Sequence, residues 1–89
     1  MRHVEEIGPD ISVIVPTYQD GALLERCLAS IDRQDLPPLE VIVIDDGSTD
    51  PEALASIGRA LATRPGVKMI RQRNSGPSAA RNRGIVEAR

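Results

Sequence analysis

The run Leu39-Glu40-Val41-Ile42-Val43-Ile44-Asp45-Asp46-Gly47-Ser48-Thr49-Asp50-Pro51-Glu52 decides the fold. Its first six residues are almost continuously apolar and β-branched, the pattern of a strand buried on both faces in a parallel sheet. That strand runs directly into an acidic turn containing one glycine. The turn feeds a helix start: Asp50 stands where a cap is needed, Pro51 at the first helical position and Glu52 in the first turn. A strand that ends in a turn and enters a helix is part of a β-α-β unit, so the flanking sequence has to supply the remainder.

It does so on both sides. Upstream, Ile11-Ser12-Val13-Ile14-Val15 is a second run of the same kind, ended by Pro16. Leu23, Leu24, Cys27, Leu28 and Ile31 then recur at helical spacing, with Arg26, Asp32 and Arg33 on the other face. Asp20 is in place to cap that helix, and Pro37-Pro38 stops it. Downstream, Leu54, Ile57, Gly58 and Leu61 read as the inward stripe of a second helix, ended by Pro65-Gly66. Val67 to Arg71 is a third, shorter strand with polar ends. A polar loop from Gln72 to Gly76 follows, and Pro77 opens a third helix that runs to about Ala88 and carries the small residues Ala79, Ala80 and Gly84.

The order is β-α-β-α-β-α. Strands joined through helices are parallel, and such crossovers are right-handed. The fold class expected is α/β, a Rossmann-like three-layer half-sheet of parallel strands. Residues 1–10 read as a flexible N-terminal arm and residues 11–89 as the folded part. A third helix would ordinarily deliver a fourth strand, so the chain reads as a piece of a longer protein. A three-stranded parallel sheet leaves exposed edges, and self-association through the first-strand edge, or marginal stability, is expected.

Composition agrees. The 89 residues include 11 Lys+Arg, 13 Asp+Glu and one His, a formal net charge of −2, with 40% hydrophobic and 27% charged residues. This is ordinary globular usage and offers no basic footprint for nucleic acid. With one Tyr and no Trp or Phe, the core has to be aliphatic. No apolar run approaches the ~20 residues of a membrane span. The single cysteine, Cys27, lies on an apolar helical stripe, reads as inert core and suits a reducing, cytoplasmic setting.

Ligands of parallel α/β sheets sit beyond the carboxyl ends of the strands. Those ends are Pro16-Thr17-Tyr18-Gln19-Asp20, Asp45-Asp46-Gly47-Ser48 and Gln72-Arg73-Asn74-Ser75-Gly76, which share one edge by construction. Adjacent carboxylates such as Asp45 and Asp46 repel each other, which favours a raised pKa for one of them. A carboxylate here can accept a hydrogen bond from a ribose hydroxyl or from the N3–H of a uracil ring. Alternatively, Asp46 and Ser48 bond local amides in a turn. Gly47 allows a tight turn with the backbone close to a ligand. Tyr18 can stack on a base or pack over the sheet edge, and Asp20 is either a helix cap or a ligand contact. Arg81, early in the third helix, can reach a phosphate at the same edge or stand in solvent. His3 receives no role. No His/Cys cluster has metal-ligand spacing, and no Ser has a His partner. A dinucleotide-binding half-domain would need a Gly-x-Gly-x-x-Gly turn after the first strand, where this chain has Pro16 to Gly21. A non-enzymatic module on the same fold is the other alternative.

Taken in order, these residues resemble the N-terminal half of family 2 inverting glycosyltransferases of the GT-A fold, over roughly Ile11 to Ala88. Four segments carry the resemblance: Ser12 to Tyr18, Cys27 to Ile31 with Gln34, Glu40 to Asp50, and Asn74 to Ile85. The resemblance implies a truncated GT-A nucleotide-binding subdomain that takes a nucleotide-sugar, most often UDP-linked, for transfer to an acceptor hydroxyl. Residue by residue it implies that Pro16, Thr17 and Tyr18 line the base pocket. Asp46 would hold the uracil edge with Asp45 beside it, and Asn74, Gly76 and Arg81 would border the diphosphate. Gln19 departs from the Asn common in that loop. The family's Asp-x-Asp motif, which holds a divalent metal (Mg or Mn), follows the third helix, and the catalytic base follows later still. The resemblance therefore implies no catalytic residue and no metal ligand within these 89 residues, and no turnover by them alone.

Overall fold

A computed structural model of the chain describes residues 11–35 and 37–88. The arm expected over residues 1–10 lies outside the described residues, as does Arg89. The elements are β1 (Ser12–Thr17), α1 (Gly21–Asp32), β2 (Glu40–Asp45), α2 (Pro51–Ala62), β3 (Lys68–Arg71) and α3 (Pro77–Glu87). The three strands form one parallel sheet in the order β1-β2-β3.

Side chains alternate across the sheet, as a pleated strand requires. Val13, Val15 and Val43 point to one face, where they meet Leu24, Leu28 and Ile31 of α1 and Ile57 and Ala60 of α2. Ile14, Ile42 and Ile44 point to the other and meet Ala80 of α3. Both faces are covered, which is why β1 and β2 read as continuous apolar runs. Each fully buried Leu, Ile or Val contributes about 1.5–3 kcal/mol. α3 lies close on β1 because it carries Gly84 there: a Cβ at that position would stand 2.4 Å from Ile14 Cγ2.

Both acidic caps form. Asp20 Oδ1 accepts the Leu23 amide hydrogen at 2.9 Å, and Asp50 Oδ2 accepts that of Ala53 at 2.9 Å. Two details depart from the sequence reading. Pro16 does not end the first strand, which continues to Thr17. The backbone bonds Leu39 N to Ile11 O and Asp46 N to Thr17 O show that odd-numbered residues of β1 face β2. Pro16 therefore faces the open side, where its missing N–H breaks no bond to β2. The second departure is Gly58, which is exposed. The buried face of α2 is Ala53, Ile57 and Ala60, one helical step away from the expected stripe, with Leu54 and Leu61 only partly covered.

Arg64, just past α2, ties the two neighbouring helices together. Its guanidinium donates to Glu25 at 3.0 and 3.1 Å, to Asp32 at 3.0 Å and to the Ala60 carbonyl at 2.7 Å.

Candidate nucleotide-binding site

The carboxyl ends of the strands meet as expected, and a cleft of about 390 Å³ opens beside them. Its walls come from the end of β1 (Val15 to Tyr18), from Asp20 and the first half of α1, from Asp46, and from Asn74, Gly76 and the start of α3. The cleft thus lies along the open edge of β1, with α1 on one side and α3 on the other. Of the residues singled out in the sequence, Pro16, Thr17, Tyr18, Asp20, Asp46, Asn74 and Gly76 line it. Tyr18 is 49% exposed, so its ring is available to a ligand. Asp20 serves as the α1 cap and stands in the cleft wall as well.

Asp45, Gly47 and Arg81 are not among the lining residues. Asp45 is 1% exposed and turns inward, where its Oδ1 accepts the Ser48 amide hydrogen at 3.0 Å. Gly47 adopts φ +83°, and a Cβ there would stand 2.7 Å from the Asn74 backbone nitrogen. What approaches this glycine is the loop after β3. Arg81 is half-buried on α3.

Asp46 organises the site. It is 5% exposed, yet its carboxylate is well satisfied. Oδ1 accepts from Gln72 Nε2 at 2.8 Å and from the Ser75 amide at 2.9 Å, and Oδ2 accepts from the Gly76 amide at 2.9 Å. A carboxylate offers about four lone-pair sites, so one remains. Burial pushes this carboxyl's pKa up, but the bonds from Gln72, Ser75 and Gly76 outweigh it and hold the group below the ordinary value. Asp45 and Asp46 point to different sets of donors. These bonds come from across the sheet, from the loop 72–76, whereas it is Asp45 that closes the local turn.

Three residues that support the site without lining it were not readable as such. Gln19 bridges the loop after β1 to the turn after β2, accepting the Thr49 and Asp50 amide hydrogens at 2.9 Å each. Ser48, fully buried, accepts the Gln19 amide hydrogen at 2.9 Å. Gln72 steadies Asp46. A polar loop residue carries no mark of its partner in the sequence, so only the strand-end position pointed to them.

The two acids do not fit a divalent cation. Asp46 already accepts three N–H bonds and Asp45 faces an amide, and among the described residues no group of three His, Cys, Asp or Glu side chains could hold a metal ion. Nor is any helix among the described residues long and apolar enough to cross a membrane.

Residues 12–89 match the family model described as Glycosyl transferase family 2. The chain is 39% identical over 82 residues to the uncharacterized glycosyltransferase EpsJ of Bacillus subtilis, covering 91% of this chain and 23% of that protein. It is 42% identical over 76 residues to the succinoglycan biosynthesis protein ExoW of Rhizobium meliloti, covering 84% and 24%. The chain spans about a quarter of the length of these curated relatives. Among solved structures it resembles the mannosyltransferase PcManGT from Pyrobaculum calidifontis in complex with GDP-Man and Mn2+. The TM-score is 0.67 at 30% identity, over 94% of this chain and 27% of that one.

Proposed function

Since the chain belongs to glycosyl transferase family 2 and carries the Rossmann-like half of the GT-A fold, we propose that its cleft holds the nucleotide of a sugar-nucleotide donor, UDP-linked, in a protein that transfers the sugar to an acceptor hydroxyl. One observation carries this reading: Tyr18 and Asp46 come from different strand ends and line the same cleft. In this reading Tyr18 stacks on the base, while Pro16, Thr17 and Asp20 shape the pocket around it. The remaining lone pair of Asp46 accepts the uracil N3–H. Asn74 and Gly76 border the diphosphate, with Arg81 on the helix behind them. Asp45 and Gly47 act indirectly, by shaping the turn that presents Asp46.

The share of the reaction assigned to residues 11–88 is donor binding. Deprotonation of the acceptor hydroxyl and the divalent metal, Mg or Mn, are assigned to groups outside these residues, and no turnover is expected from them alone. A mannosyltransferase bound to GDP-Man and Mn2+ among the similar structures supports a nucleotide-sugar donor and metal use. The reading includes action in the cytoplasm, which the free thiol of Cys27 suits.

Calorimetric titration tests the nucleotide reading, with UDP, GDP and the Tyr18→Ala variant compared. Weak binding of UDP, stronger than that of GDP and reduced about tenfold in Tyr18→Ala, is the expected result. Preference for GDP would reassign the base. Binding indifferent to Tyr18 would overturn the assignment of the cleft.

A further inference from the structure

Gln19 is the only non-glycine residue with positive φ among the described residues, at +54°. This left-handed conformation is costly for a side chain bearing a Cβ, and it persists only where the surroundings enforce it. Four hydrogen bonds enforce it here. The backbone N–H donates to Ser48 Oγ at 2.9 Å and Nε2 donates to Thr49 Oγ1 at 3.1 Å. Oε1 accepts the Thr49 and Asp50 amide hydrogens, both at 2.9 Å. All four run from the loop after β1 to the turn after β2. Gln19 itself is not a lining residue of the cleft, but its neighbours Tyr18 and Asp20 both are, and the turn it grips begins with Asp46.

We propose that Gln19 is a positioning residue for the donor nucleotide: its side-chain amide locks the Tyr18 loop to the 48–50 turn and so fixes where Tyr18 stands relative to Asp46, at the head of that turn. The proposal rests on the nucleotide reading of the cleft. The chemistry explains the residue type. One oxygen has to accept two amide hydrogens at the entrance to α2 while the nitrogen serves the Thr49 hydroxyl. Asn has the same groups on a side chain one methylene shorter. Glu keeps the double acceptor and loses only the donor.

The test compares Gln19→Glu, Gln19→Ala and Gln19→Gly with the wild type, in the protein as its gene encodes it, by the dissociation constant for UDP. Gln19→Ala and Gln19→Gly should each weaken UDP binding roughly fivefold to tenfold, whereas Gln19→Glu should stay within about twofold. The glycine variant releases the backbone from its left-handed strain, so it should be more stable than the alanine variant while binding equally poorly. A purely structural role would make affinity follow stability and let Gln19→Gly recover it. Wild-type affinity in Gln19→Gly, or a loss in Gln19→Glu equal to that in Gln19→Ala, would overturn the proposal. If Tyr18→Ala loses affinity while Gln19→Ala does not, the positioning role fails and the cleft assignment survives. If the wild type binds no nucleotide, both fail.

Discussion

Asp46 Oδ2 accepts the amide hydrogen of Gly76 at 2.9 Å, and through this bond the end of the second strand holds the entrance to the third helix. With the Ser75 and Gln72 bonds to Oδ1, it makes one buried carboxylate the fastener of two loops that are 26–30 residues apart in sequence.

Asp46 should therefore make stability depend on acid. Its folded pKa lies below the ordinary 3.8, so the stabilisation is complete above that value and fades as pH falls through the lower folded value, when the carboxyl protonates and loses its acceptors. Asp46→Asn should cost about 1–3 kcal/mol near neutrality, because one acceptor becomes a donor facing N–H groups. Urea unfolding between pH 6 and 2.5 checks both. The wild-type midpoint should fall more steeply below pH 4 than the variant's, and parallel curves would contradict this.

Two glycines in helices should respond oppositely to alanine. Gly84→Ala drives a methyl into Ile14, an overpacking that costs about 1–3 kcal/mol. Gly58→Ala meets nothing within 4 Å on the exposed side of α2 and should stabilise by roughly 0.5–1 kcal/mol through helix propensity. Thermal melts of the two variants should move in opposite directions.

Arg64 should matter more than an ordinary surface ion pair. Its side chain is 13% exposed and it holds two carboxylates on α1 and a carbonyl of α2, although Glu25 and Asp32 are themselves about half exposed and screened. Arg64→Ala should cost about 1–2 kcal/mol, and Arg64→Lys should recover little of it because an ammonium cannot reproduce the planar fork. Chemical denaturation in low and high salt separates the screened share from the Ala60 bond, which salt leaves in place.

Among the described residues no strand pairs with β1 on the side away from β2, and this edge should drive self-association of the chain when it is produced by itself. Ser12 and Ile14 direct their backbone groups away from β2, while Pro16 offers no N–H on that side. Sedimentation velocity should show concentration-dependent dimers or larger species. A monodisperse monomer across the range would contradict this.

Much of this organisation was legible in the residues themselves. The β-branched runs at Val13 and Val43 announce strands covered on both faces, and Asp20 and Asp50 announce their caps, because these signals are local. Where the reading departed, the deciding interaction was not local. Pro16 sits inside a strand because it faces the sheet's open edge, which no single segment reveals. Gly58 falls on the expected stripe by period, but the face that α2 buries is Ala53, Ile57 and Ala60. The donors to Asp46 lie 26–30 residues away, so adjacency to Asp45 suggested repulsion where the fold supplies amides. Gln19 looked like a departure from a family pattern and proves to be the residue bonded most extensively across the two loops.

The central claim is that the cleft beside Tyr18 and Asp46 takes a nucleotide. The most direct test follows backbone amide resonances of the chain during titration with UDP. The largest shifts should fall at Tyr18, Asp46, Asn74 and Gly76, with Leu39 and Val67 at the far end of the sheet unmoved. Shifts centred on Leu39 and Val67, or none at saturating UDP, would contradict it.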